Sequence, residues 1–436
     1  MGPIRLIGPI GLMSLIGLIS LTSCSDDQEP GNRQRVTFEA QSCSQVFDEI
    51  TPESAAGEMG PMRPMGPISP MGYTTRTMDT WEPPTGYTTY SGSILSLFAE
   101  QVDLFYKSID AFFTLDGGAT PLHGTFYYNS EGHWRFGTDE EIANTTYYLY
   151  GYIPKEVAES ATITGNSNFS DGAVLTINGM KTVTHSDVCV IIGAKNGYDG
   201  GKTEIADNKY QVPSLVAGDF AVTTHAASSA TTGTSGNEIY LLFDHIYSAV
   251  RLNFRVDEKY AALRTIELTK LELVALNSTS STKLKAKYNA TITLSKTTAG
   301  ASPIVNVVFT PDNTSADVAY EPIYSGDEVP LPSDKYPVGD PKAGEYKYTS
   351  FMGCFVPGQN THFKLRSTYN VKDKEGNLIR EGCEAENDLD LRSIFKMAAL
   401  TLERGHMYSI SLTVKPTYLY VLSEPDLDNP TLTIGE

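Results

Sequence analysis

Seven histidines, one glycine-rich Gly-Lys-Thr loop and several neighbouring carboxylates are the residues of this sequence whose types could do chemistry. The loop "GYDGGKT", residues 197–203, invites a phosphate-binding reading, but its first glycine stands one residue too close to Gly201-Lys202-Thr203. No amphipathic helix follows whose N-terminus could hold a phosphate, so a β-hairpin tip is the expectation. His123, His133, His185, His225, His245, His362 and His406 are scattered without an H-E-x-x-H or other short ligand spacing, and no metal is expected. There is no G-x-S-x-G elbow for a serine nucleophile. Asp26-Asp27 and Asp139-Glu140-Glu141 sit along single stretches of chain and read as solvated charge, because glycosidase acids must project into a cleft from separate places. Tyr148, Tyr150 and Tyr152 alternate onto one face of a strand, where flat rings with polar tips could form a sugar platform or a cross-strand core; Trp81 and Trp134 pose the same choice. None of these patterns prescribes a reaction, and the chain is expected to be no enzyme and to use no cofactor.

One residue does carry a covalent expectation. Behind Cys24 lie a single cation, Arg5, then residues 6–22 without charge, then Leu21-Thr22-Ser23. That is the layout of a secretory signal, and Pro3, Gly8, Pro9, Gly11 and Gly17 argue against a stable membrane span. The segment resembles a bacterial lipoprotein signal with a lipobox. Residues 1–23 would then be removed and Cys24 acylated with chains such as palmitate, a durable anchor because each buried CH₂ contributes about 0.8 kcal/mol. Ser25-Asp26-Asp27-Gln28-Glu29 looks like the acidic signal that carries some lipoproteins across the outer membrane to the cell surface.

The elements that must hold whatever this chain presents are strands. The balance of 33 basic against 52 acidic residues gives a net charge of −19, with no Lys/Arg cluster to displace phosphate counterions, so nucleic acid is excluded as a partner. With 25 tyrosines and only 19% charged residues, the composition is that of a β-rich secreted protein. Residues 24–76 form a prosegment or tether, dominated by "EMGPMRPMGPISPMG" at 58–72, whose Gly/Pro density cannot build a core. Within it "RVTFEA", residues 35–40, alternates Val36, Phe38 and Ala40 with polar residues and predicts one half-buried strand. Beyond the tether, "SAVRLNFRV", "YSISLTV", "KYNATITLS", "PIVNVVFT" and "THFKLRSTYNV" alternate as half-buried strands, while "SDVCVIIGA" suits a strand covered on both faces. Short helices are expected within 257–266 and 390–400. Strands this numerous predict an all-β chain of two tandem β-sandwich domains, 77–232 and 238–436, divided in the small-residue stretch 225–238. Cys354 and Cys383 are a candidate disulfide pair.

Taken together, the lipobox, prosegment, Arg76-Thr77 junction and two β domains resemble the fimbrillin-type subunits of bacterial surface fimbriae. The local matches are "LLFDHIYSAVRLNF" (241–254), similar to that family's Phe-x-His strand, "LERGHMYSISLTV" (402–414), similar to its near-terminal Gly-x-x-Tyr strand, and "HWRFGTDEEIANTTYYLYGYIP" (133–154), which resembles its Trp-containing turn and aromatic strand. The resemblance implies transthyretin-like, Greek-key sandwiches and a non-catalytic role in adhesion as a fimbrial subunit, tip or anchor at the cell surface. It further implies cleavage after an arginine, Arg76 first and Arg63 second, departure of the strand bearing Val36, Phe38 and Ala40, and insertion of a neighbour's strand by β-augmentation. The donor would be the tail 416–436, with Leu419, Val421, Leu432 and Ile434 as its apolar positions; Pro425 and Pro430 interrupt it, which favours a tip or anchor over the shaft. The partners implied are other fimbrial subunits, the outer membrane through the lipid, and a glycan or protein receptor. The alternative reading is an outer-surface glycan-binding lipoprotein of a nutrient-uptake system, which would keep Cys24 for life.

Overall fold

A computed structural model describes residues 37–42, 48–50, 108–128, 134–140, 142–143, 145–196, 204–206, 209–210, 217–224, 238–277, 283–296, 305–358 and 361–414. Cys24, Val36, Arg63, Arg76, Trp81 and the tail with Leu419, Val421, Leu432 and Ile434 lie outside them, as does the stretch 225–237.

Among the described residues the chain is all-β apart from single helical turns, and its strands make two pairs of sheets. The largest runs β1 (Thr37–Ser42), β14 (Glu238–His245), β10 (Cys189–Asn196), β6 (Thr146–Ile153), β3 (Ile109–Thr114), β4 (Leu122–Tyr128) and β5 (Trp134–Gly137), with β13 (Ala221–Thr223) also on β6. Against one of its faces packs a sheet of β7 (Ser160–Gly165), β8 (Gly172–Lys181), β17 (Lys287–Ser295) and β18 (Val305–Pro311). Phe112, Tyr150, Val190, Ile192 and Leu242 from the first meet Leu175, Ile177, Ala290 and Ile292 from the second in one buried core. The other pair joins β2 (Asp48–Ile50), β23 (His406–Val414), β15 (Ser248–Val256), β20 (Thr349–Phe355) and β9 (Val183–Thr184) to β19 (Glu321–Pro330), β16 (Thr265–Leu276), β21 (His362–Lys372) and β22 (Leu378–Asp390). Leu252, Phe254, Phe355 and Tyr408 there face Leu271, Leu273, Phe363 and Leu365. A small hairpin, β11 (Glu204–Ala206) with β12 (Lys209–Tyr210), stands apart from both pairs.

Alternation in the sequence becomes burial in the fold. In β15, Val250, Leu252, Phe254 and Val256 are buried while Arg251, Asn253 and Arg255 are half-buried. β10 is covered on both faces: Val190 and Ile192 enter the core shared with β8, and Cys189, Ile191 and Ala194 a third cluster on the opposite side. Gly151 of β6 packs so tightly on β3 that a Cβ there would lie 2.2 Å from the Asp110 carbonyl oxygen. The two helical segments are shorter than their periodicity suggests. α1 (Glu258–Ala261) and α2 (Leu391–Ile394) are capped by the Asp257 and Asp390 carboxylates, which accept N–H bonds at 3.1 Å. The first gives way to the β-branched start of β16 and the second ends at Lys396, whose φ is 56°.

Sheet membership does not follow the expected division at 225–238. β14, which comes after it, completes the sheet of β10, and β17 pairs β8 across it. A sheet edge accepts whichever strand offers the matching ladder and apolar face, however distant in sequence.

Two choices that the sequence leaves open fall one way in the fold. Cys354 is fully buried on β20 and Cys383 half-buried on β22, in different sheets, and both are free thiols. Tyr150 and Tyr152 are not a surface platform. Both are core residues at 0% and 1% exposure, burial holds both phenols well above their ordinary pKa, and the Tyr150 hydroxyl donates to the Phe169 carbonyl. Asp139 and Glu140 are exposed, as solvated charge should be.

Candidate assembly interface

Among the residues singled out from the sequence, Phe38 and Ala40 are placed, on β1, and they fall in the strand expected to depart. β1 lies parallel to β14 over a six-residue register, with Phe38 opposite Ile239 and Ala40 opposite Leu241. Among the described residues it is the terminal strand of its sheet and pairs with no other strand.

The sequence reading missed a second strand in the same segment. β2 runs parallel to β23, Asp48 opposite His406 and Ile50 opposite Tyr408, and it too ends its sheet. Only three residues long and acidic at two of them, Asp-Glu-Ile offers no alternation to read. One short stretch of the N-terminal region therefore adds an edge strand to a sheet of each pair. Each addition breaks or makes a single ladder, so the rest of the sheet pairing does not depend on it.

The strands beneath are unlike ordinary edges. Ile239, Leu241, Leu242 and Phe243 of β14 are buried and belong to clusters on both faces of the sheet. Met407, Tyr408 and Ile410 of β23 are likewise buried. A strand with apolar side chains on both faces is built for the inside of a sheet; left at an edge, it presents unpaired N–H and C=O groups beside an apolar surface.

β14 and β23 are tied together at one point. β14 ends at His245 and the chain turns through Ile246 and Tyr247 into β15. Gly405, just before β23, donates its N–H to the Tyr247 carbonyl at 2.9 Å. Arg404 Nη1 donates to Asp244 Oδ2 at 2.6 Å and to the His245 carbonyl at 2.8 Å. Asp244 is 2% exposed, so its charge is held out of water by that guanidinium.

Behind the joint, Asp187, Cys189 and His245 form a buried group. His245 Nδ1 is hydrogen-bonded to Asp187 Oδ2, and the Cys189 thiol donates to the same oxygen at 3.1 Å. Desolvation would lower the His245 pKa, but Asp187, with Asp244 behind it, outweighs that and holds it above the ordinary value; burial pushes the Cys189 thiol up. No sequence spacing announces this group. Cys189 and His245 are cross-strand neighbours on β10 and β14 although 56 residues apart. The signal that existed was chemical: Asp187 and His245 are titratable residues inside the apolar runs "SDVCVIIGA" and "LLFDHIYSAV".

No protein-family model and no curated protein match the chain. Among solved structures it is similar to a Bacteroides fragilis protein assigned to cell adhesion, at 12% identity and TM-score 0.31, covering 88% of this chain and 94% of that one. A fimbrial protein from Bacteroides vulgatus is 12% identical over 70% of this chain and 88% of its own, TM-score 0.25. The fimbrial anchor protein Mfa2 from Porphyromonas gingivalis is 10% identical over 71% and 83%, TM-score 0.21. At such scores we carry nothing from these proteins to this one.

Proposed function

We propose that the chain is a non-catalytic component of a bacterial surface fimbria, a subunit, tip or anchor that assembles by β-strand exchange and serves adhesion. The observation that carries this reading is the placement of residues 37–42 and 48–50 as terminal strands on β14 and β23, both of which have buried, apolar side chains. The sequence resemblance supplies the rest. Cys24 is the lipid attachment site, so the precursor reaches the outer surface on an anchor. Cleavage after Arg76, or after Arg63, frees the segment from the remainder of the chain; β1 and β2 leave, and a strand from another subunit takes their ladder. Main-chain bonds supply the affinity of such an exchange and the alternating pockets supply its selectivity. This chain's own tail, through Leu419, Val421, Leu432 and Ile434, is the donor to the next subunit.

The test is assembly in vitro. Full-length protein is treated with an arginine-specific protease, and assembly is followed by size-exclusion chromatography and SDS-resistant laddering. Cleavage is expected to give multimers from the wild type and none from Arg76→Ala/Arg63→Ala; a cleaved chain that stays monomeric, alone and with filaments from the same cells, overturns the proposal.

A further inference from the structure

We infer that Asp187, Cys189 and His245 supply three ligands of a binding site for a divalent transition-metal ion, with zinc the chemistry they fit. The three side chains come from β10, the residues before it, and the end of β14, and their ligand atoms all lie within 4.8 Å of one another. All three are buried. Zinc bonds of about 2.0 Å to nitrogen and oxygen and about 2.3 Å to sulfur place tetrahedral ligands roughly 3.3–3.6 Å apart. Cys189 Sγ stands 3.4 Å from His245 Nδ1, an edge of that size, and 3.1 Å from Asp187 Oδ2, a few tenths of an ångström short of it. The third, the direct bond between imidazole and carboxylate, widens to admit a metal.

A second feature points to a ligand. Asp187 Oδ1 is buried and accepts no hydrogen bond from any described residue. A carboxylate oxygen held out of water without a donor is costly, and a cation bridging to Asp187 relieves that cost. The donor set selects among cations: thiolate and imidazole favour zinc over magnesium or calcium, which take oxygen ligands. The metal takes the place of two protons, one on Cys189 Sγ and one in the bond between His245 Nδ1 and Asp187. Charge is conserved by that exchange, so the pair of buried Asp244 with half-buried Arg404 beside the site need not rearrange. A metal here staples β10 to β14 at the point where Arg404 ties β14 to the approach of β23.

The test uses the full chain, stripped with chelator and titrated with Co²⁺, whose thiolate charge-transfer absorption in the near ultraviolet reports a cysteine ligand. One equivalent is expected to bring up the band, and Zn²⁺ to abolish it by displacement. The band is expected to vanish in Cys189→Ser and His245→Gln and to persist in Cys383→Ser and Cys354→Ser. Far-ultraviolet circular dichroism shows whether each variant is folded. Should Cys189→Ser not fold, Asp187→Asn takes its place, with at least tenfold weaker Co²⁺ binding expected. In wild type, saturating Zn²⁺ is also expected to raise the melting temperature. No band in wild type, a band that survives Cys189→Ser, unweakened binding in folded Asp187→Asn, or a melting temperature indifferent to Zn²⁺ overturns the inference.

Discussion

Tyr408 shows how much one residue can hold. Its ring meets Phe395 edge-on with centroids 6.0 Å apart, its hydroxyl donates to the Thr401 carbonyl at 3.0 Å, and it accepts the Glu403 N–H at 3.0 Å. Tyr408→Phe keeps the ring and strands both backbone partners, so chemical denaturation is expected to show a loss of about 1–3 kcal/mol. Burial pushes the Tyr408 phenol up to about 12 from an ordinary value near 10. A group whose folded pKa is raised contributes fully below its unfolded pKa, and the contribution is lost as pH climbs through the folded one. Stability is therefore expected to fall between pH 10 and about 12, less steeply in Tyr408→Phe; a variant with the wild-type slope would contradict this assignment. At this scale the sequence was readable where a residue followed a strand's alternation, as Tyr408 and Leu252 do. It left a choice open where one residue type suits two environments. Alternation put Tyr150 and Tyr152 on one face, but nothing local says whether that face meets water or β8, and the fold chose the core.

Among the elements, the half-buried strands were legible because period-2 alternation is a local property. β17 occupies the nine residues of "KYNATITLS" and β15 those of "SAVRLNFRV". Pairing is not local, and it is where the expectation and the fold part. The dividing line at 225–238 rested on loop composition, yet β14 and β17 beyond it complete sheets begun before it. β2 was invisible since three residues cannot show a period. A close approach between elements, β3 with β6, gives a further prediction. Gly151→Ala drives a methyl to 2.2 Å from a backbone oxygen of β3 that has no room to yield. It is expected to cost about 3 kcal/mol, read as a lowered denaturation midpoint, whereas Gly326→Ala, where a Cβ would meet nothing nearer than the Tyr324 hydroxyl at 3.5 Å, should cost much less. Equal losses at the two positions would show that β3 and β6 are not so closely packed. The acidic run Glu381, Glu384, Glu386 and Asp388 along β22, a terminal strand of thirteen residues, shows how an edge not meant for pairing is guarded by charge. β14, lined by Ile239, Leu241, Leu242 and Phe243, has no such guard and relies on β1 to cover it.

For the molecule as a whole, the contrast between those edges is the centre of the account. A net charge of −19 and the charged margin of β22 oppose casual association, while the two unguarded ladders lie under one N-terminal segment. In the proposed exchange, removing that segment would convert a closed precursor into a unit with two open edges, and the donor tail would convert units into a polymer. The measurement that tests this most directly is the N-terminus of the protein recovered from the cell surface, by intact mass and terminal peptide sequencing. The account predicts a chain that starts at Thr77, or after Arg63, with β1 and β2 gone. A chain that still starts at acylated Cys24 in assembled filaments would contradict it, leaving both edge strands in place and the ladders of β14 and β23 closed to any neighbour.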